Sequence, residues 1–162
     1  MSIKDIKALT FDTGGTILDW HTGFKNAFKE AGNEHNIDMD WAKITNELRR
    51  KSLKSVLNLG EHSPPKYNFD GGHEIALKEI ISQFNLNQFT DKNIHDISYK
   101  APHNFIVWDD FPEALTKLKK KFLCVSFTLL SFKLIIDILA PLVPKSNPPK
   151  NASCIKNSKT RL

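Results

Sequence analysis

The chain has 162 residues, 40% of them hydrophobic and 25% charged, with a formal net charge of +5. That length suits one medium domain, or a small core carrying an inserted module. The excess charge lies past Pro141, where Lys145, Lys150, Lys156, Lys159 and Arg161 meet no acid, so the body is neutral and offers no basic surface for nucleic acid.

Two cysteines, Cys124 and Cys154, make no disulfide framework. Lys4, Asp5 and Lys7 interrupt the N-terminus before any apolar stretch, which reads against a secretory signal and for the cytoplasm. The first apolar run, Ile6 to Phe11, ends at Asp12 and opens into Thr13-Gly14-Gly15-Thr16. A carboxylate at the C-terminal end of a short strand stands where ligands bind in open α/β sheets. The glycines let backbone N–H groups crowd toward an anion. Asp12 is therefore a candidate for chemistry, with Thr13 and Gly14 as candidate substrate-binding residues of the turn, and several Asp-Gly chemistries fit this arrangement.

Helical spacing follows. Phe24, Ala27, Phe28 and Ala31 share one face, and Gly32 reads as a stop. A second run carries Trp41, Ile44, Leu48, Val56 and Leu57, with Arg49, Arg50, Lys51 and Lys54 on or near its other face. Residues 60–72, with Pro64-Pro65 and Gly71-Gly72, read as a loop, and Ile75, Ile80, Ile81 and Phe84 predict a third helix ending near Asn85.

Pro112 suits the first turn of a helix whose apolar face is Leu115, Leu118 and Phe122. Phe122 to Phe127 predicts a fully buried strand, with Cys124 as a small buried hydrophobe. A short apolar helix from Leu134 to Ala140 stops at Pro141. The alternative, a membrane span over 122–143, would bury Lys133 and Asp137 at about 2.5–3.5 kcal/mol each, so no membrane is expected. Residues 141–162 hold four prolines and no apolar period, the composition of a disordered basic tail.

Three families use a string like Asp12-Thr13-Gly14-Gly15-Thr16. Aspartic proteases need two such carboxylates and an all-β body. Actin-like kinases follow the glycines with a second alternating strand, where this chain has Asp19-Trp20-His21 and a helix. Phe11 to Trp20 resembles most the first motif of the haloacid dehalogenase superfamily. Helical sequence to about residue 100 is similar to that family's inserted cap, and Trp108 to Leu115 to the return to its core.

The resemblance implies an α/β fold: a partial Rossmann-like parallel-sheet core (1–18 and 101–140) with a helical cap (19–100). It implies an aspartate nucleophile, Asp12, and a second-motif hydroxyl, for which Thr128 is the best match, with Ser126 and Ser131 as alternatives. It also implies a cap arginine for halide or carboxylate, best matched by Arg49. Family phosphatases carry a second Asp two residues past the first as acid/base. Gly14 stands there, which points to halide displacement, as in the 2-haloacid dehalogenases, and to a small-molecule substrate. No metal or cofactor is expected, since Mg2+ belongs to the phosphatase-like branch.

The family's third and fourth motifs have no match here. Lys145 resembles the third only faintly, and no acid follows Asp137. The tail is therefore expected to be a truncated or frame-shifted product, and turnover to be impaired. An inactive cap-bearing remnant that only binds a partner, and an actin-like kinase fragment, stand as alternatives. Oligomeric state is left open.

Overall fold

A computed structural model describes residues 5–57 and 69–140 of the chain. Strand β1 (Ala8–Phe11) is followed by the Asp12 turn and the short β2 (Leu18–Asp19). Helices α1 (Trp20–Glu34), α2 (Trp41–Leu57), α3 (Phe69–Gln83) and α4 (Asp91–His95) come next. A π turn (Asp96–Lys100) and a 3-10 turn (Pro102–Asn104) lead to β3 (Ile106–Val107), α5 (Phe111–Leu118), β4 (Leu123–Ser126) and α6 (Phe132–Leu139).

β1 and β4 pair in parallel, with Ala8 opposite Leu123 and Phe11 opposite Ser126. β2 and β3 pair antiparallel, Leu18 opposite Val107, where the chain leaves and rejoins the sheet region. The α/β reading with a parallel core and inserted helices therefore holds. Parallel pairing across a long excursion is unlike the hairpin that the kinase reading requires.

Helix α1 starts where the Asp19 carboxylate accepts the Thr22 N–H at 3.0 Å. Phe24, Phe28 and Ala31 are buried on one face as their spacing predicts, and Trp41 of α2 stacks on Phe28 at 6.3 Å. Gly32 is not the stop. It lies inside α1, and the left-handed residue after the helix is Asn36, at φ 55°. A Cβ on Gly32 would fall on the Trp41 ring, so close packing explains the glycine. Asn85, at φ 55°, follows the end of α3 as expected.

Gly71 and Gly72 are not loop residues but belong to the first turn of α3. Residues 58–68 and the tail 141–162, with Lys145 and Cys154, lie outside the described residues. The buried cluster is built chiefly from α1–α3: Phe24, Phe28, Trp41, Ile44, Leu48, Leu77 and Ile80, joined by Leu134 and Ile138 of α6.

β4 departs from expectation. Leu123 is 66% and Val125 42% exposed, and Cys124 is only half-buried. The run is apolar enough for a buried strand, but within the described residues nothing covers its outer face. Phe127, Leu129, Phe132 and Ile136 extend the exposed apolar surface. α6 is eight residues long, and among the described residues no helix is long and apolar enough to cross a membrane. Lys133 and Asp137 pair with each other at 2.7 Å.

Candidate active site

Asp12 follows the last residue of β1 and is exposed. Its carboxylate accepts the Thr16 hydroxyl at 2.8 Å, across the turn that Gly15 makes possible at φ 108°. The turn is held from both sides. Thr13 C=O accepts the N–H groups of Ile17 and Leu18 at 3.0 and 3.1 Å. The Trp108 indole donates to Gly15 C=O at 3.2 Å, and the Trp108 N–H to Ile17 C=O at 2.9 Å. A segment near the return to the core thus braces the segment that bears the carboxylate.

Thr13 is fully buried, and its hydroxyl shares a 2.7 Å hydrogen bond with that of Ser126. Ser126 ends β4, so two hydroxyls from the tips of parallel neighbours meet beside Asp12. Thr128 lies two residues past the strand, where its hydroxyl accepts the Leu130 N–H at 3.2 Å. Ser131 N-caps α6 through the Leu134 N–H at 3.2 Å. The expectation that the strand tip falls at Thr128 is corrected: register with β1 places it at Ser126, because Phe11 is the last paired residue of β1.

Arg49 comes to the turn from α2. Its guanidinium makes a long contact, 3.4 Å, to Gly14 C=O and lies 5.3 Å from the Trp20 ring and 5.4 Å from the Phe69 ring. Burial lowers its pKa, and the Asp12 carboxylate acts in the opposite direction. Asp12, Thr13, Gly14 and Arg49, 37 positions apart at the extremes, are thus brought together, whereas Thr128 is held in its own turn.

Behind Arg49 stands His73 of α3, 1% exposed, its ring edge-on to Phe69 at 4.7 Å and Phe24 at 5.1 Å. Burial, and then the Arg49 charge, push its pKa down to about 3, so the imidazole is neutral. No motif marks His73 in the sequence. The signal was present: it interrupts the buried stripe Phe69, Ala76, Leu77 and Ile80 at helical spacing. Among the described residues no cluster of three or more His, Cys, Asp or Glu side chains is placed to hold a metal ion.

No family model and no curated protein matches the chain. Solved structures do. A defluorinating L-2-haloacid dehalogenase aligns with a TM-score of 0.74 and 20% identity, over 83% of this chain and 56% of its own. A second L-2-haloacid dehalogenase gives 0.71 and 18%, over 83% and 57%. The L-2-haloacid dehalogenase of Xanthobacter autotrophicus, solved with chloropropionic acid covalently bound, gives 0.66 and 16%, over 85% and 52%. The chain thus spans little more than half the length of these structures. What they share with it is architecture, and this chain has the haloacid dehalogenase fold.

Proposed function

We propose that the chain carries the nucleophile half of a hydrolase that displaces halide from a short 2-halo acid. One observation carries this reading: Arg49, from a helix of the insertion, is delivered to the Gly14 carbonyl beside the strand-tip carboxylate Asp12. In this reading the helices of 19–100 form a cap over Asp12, and Arg49 holds the anionic end or the departing halide. The solved neighbours are dehalogenases, which supports the same chemistry.

The Asp12 carboxylate oxygen attacks C2 of the substrate in line. The C–O bond forms as the C–halogen bond breaks, and the electron pair leaves with the halide. Water then adds to the ester carbonyl carbon, releasing the 2-hydroxy acid and a proton and restoring the carboxylate. The departing halide needs no proton, which suits Gly14 at the position where a phosphatase keeps an acid. No metal or cofactor takes part in this scheme.

The test is halide release from 2-chloropropionate in oxygen-labelled water, followed by mass spectrometry of the peptide bearing Asp12. Label in the Asp12 carboxylate after turnover supports the ester route, and Asp12→Asn should abolish both label and release. Magnesium-dependent phosphatase activity without halide release would overturn the reading.

A further inference from the structure

Strands β1 and β4 turn one face to α5 and leave the other bare. Leu9, Phe11 and Cys124 are half-buried on the α5 side, where the Phe11 ring meets that of Phe111 edge-on at 6.0 Å. Ala8 and Thr10 alternate to the opposite side, as do Leu123 and Val125, their partners in register. All four are exposed. The ladder runs from Lys7 C=O, which accepts the Leu123 N–H at 2.9 Å, to Phe11 C=O, which accepts the Phe127 N–H at 2.8 Å. Exposed Ile6 and Phe127 therefore extend the same bare face.

The exposed charges sort to the two ends of this face. Asp109 and Asp110 stand at the strand tips, next to the Trp108 that donates to the Gly15 turn. Arg49, the cation of that turn, is half-buried against the Trp20 and Phe69 rings. Lys7, Lys119, Lys120 and Lys121 stand at the base, where β4 begins, with Asp5 as a single acid beside Lys7. Among the described residues, neither the two tip acids nor the four base lysines have an ion-pair partner.

A covered phenylalanine buries about 150–250 Å², and Phe127 is 77% exposed. With Ile6, Leu123 and Val125 it makes a patch of several hundred Å², the size that marks a docking face. Two such patches with their charged rims come to about 1,200 Å², the lower end of specific interfaces. We propose that the bare face of β1 and β4 seats a second copy of this chain, sheet on sheet, with the strands of the two copies antiparallel. An apolar centre with opposite charges at its opposite ends is self-complementary under a two-fold axis. The lysines of each copy then meet Asp109 and Asp110 of the other, twice over, whereas parallel seating would set lysine against lysine.

Sedimentation velocity of the full chain from about 2 to 200 µM tests this, because an interface of this size dissociates in the micromolar range. Wild type should pass reversibly from monomer to dimer and stop there, and salt should weaken the dimer. The triple variant Lys119→Glu, Lys120→Glu, Lys121→Glu should dimerise at least about tenfold more weakly, and so should Asp109→Lys with Asp110→Lys. Mixed in equal amounts, the two variants should dimerise as tightly as wild type, because opposite charges meet again at both ends.

A wild type that stays monomeric throughout, or that assembles past the dimer, overturns the proposal. So do charge variants that dimerise unchanged, or that fail to rescue each other when mixed. All five substituted positions are exposed, so the variants should fold. Should either not fold, Phe127→Asp decides the matter: it should be monomeric over the same range, and an undiminished dimer overturns the proposal.

Discussion

The hydroxyls of Thr13 and Ser126, 113 positions apart in the chain, share a 2.7 Å hydrogen bond that joins the segment after β1 to the tip of β4. Asp12 stands next to this tie, so the strand-tip carboxylate is positioned by parallel register as well as by its own turn. Ser126→Ala should leave the fully buried Thr13 hydroxyl unpaired and lower stability by about 1–2 kcal/mol. Thr128→Ala, which disturbs only a local turn, should stay within about 0.5 kcal/mol of wild type. Denaturant midpoints compare the two, and equal losses would show that the tie does not matter.

Gly14 faces Arg49. A Cβ placed there would sit 3.4 Å from the guanidinium nitrogen, an ordinary contact, so a side chain fits. Gly14→Asp should therefore fold and set a carboxylate against Arg49. That internal ion pair should outcompete chloride and end halide release. A Gly14→Asp chain that still releases halide at the wild-type rate would argue that Arg49 is not the anion holder.

His73 makes stability depend on pH. Its pKa is about 3 in the folded chain, below the ordinary 6.5. Above 6.5 neither state takes the proton and the full stability is present. Between 6.5 and about 3 the unfolded chain binds a proton that the folded chain refuses, so stability falls with acid by about 1.4 kcal/mol per pH unit. His73→Leu should flatten this limb in pH-dependent melting, and an unchanged slope would contradict the burial argument.

Asp137 adds a second, more acidic limb. Lys133, and then His103 at 2.6 Å, hold its carboxyl below the usual 3.8. This stabilisation is present above about 3.8 and disappears as pH falls through the lower, folded value. Asp137→Asn should remove that part of the acid dependence and leave the His73 limb in place, which melting curves between pH 2 and 7 resolve.

Gly32 is a packing glycine. Gly32→Ala would drive a methyl into the Trp41 ring and to 2.8 Å from Ile37 C=O, at a cost of about 1–3 kcal/mol. Thermal melting measures it. A neutral outcome would mean that the Phe28–Trp41 stack yields easily.

The face of β4 is the last test. Leu123, Val125 and Phe127 are exposed at 66, 42 and 77%. Apolar surface of this kind promotes association. Replacing Val125 and Phe127 with Lys should reduce concentration-dependent sedimentation and the binding of a hydrophobic dye. Unchanged behaviour would show that the face is covered in solution.

Much was legible in the sequence because it is local. Apolar spacing placed the faces of α1 and α2, Pro112 the start of α5, and Asp12-Thr13-Gly14-Gly15-Thr16 the strand-to-turn junction. A short apolar run ending in an acid and two glycines has few other ways to fold. The glycines at 32, 71 and 72 misled for the same reason. A glycine needed for close packing is written like one needed for a turn, and only the position of Trp41 separates them.

Tertiary structure decided what depends on partners distant in the chain. Parallel register, not the last hydroxyl of an apolar run, selected Ser126 over Thr128 to meet Thr13. Packing of α2 against the turn, not helix periodicity, turned Arg49 from one charge among four into the cation beside Asp12. The burial of His73 follows from which face of α3 meets α1 and α2. The exposure of β4 runs against its composition, because a strand is buried only by the elements that pack on it, and its own residues cannot encode their presence.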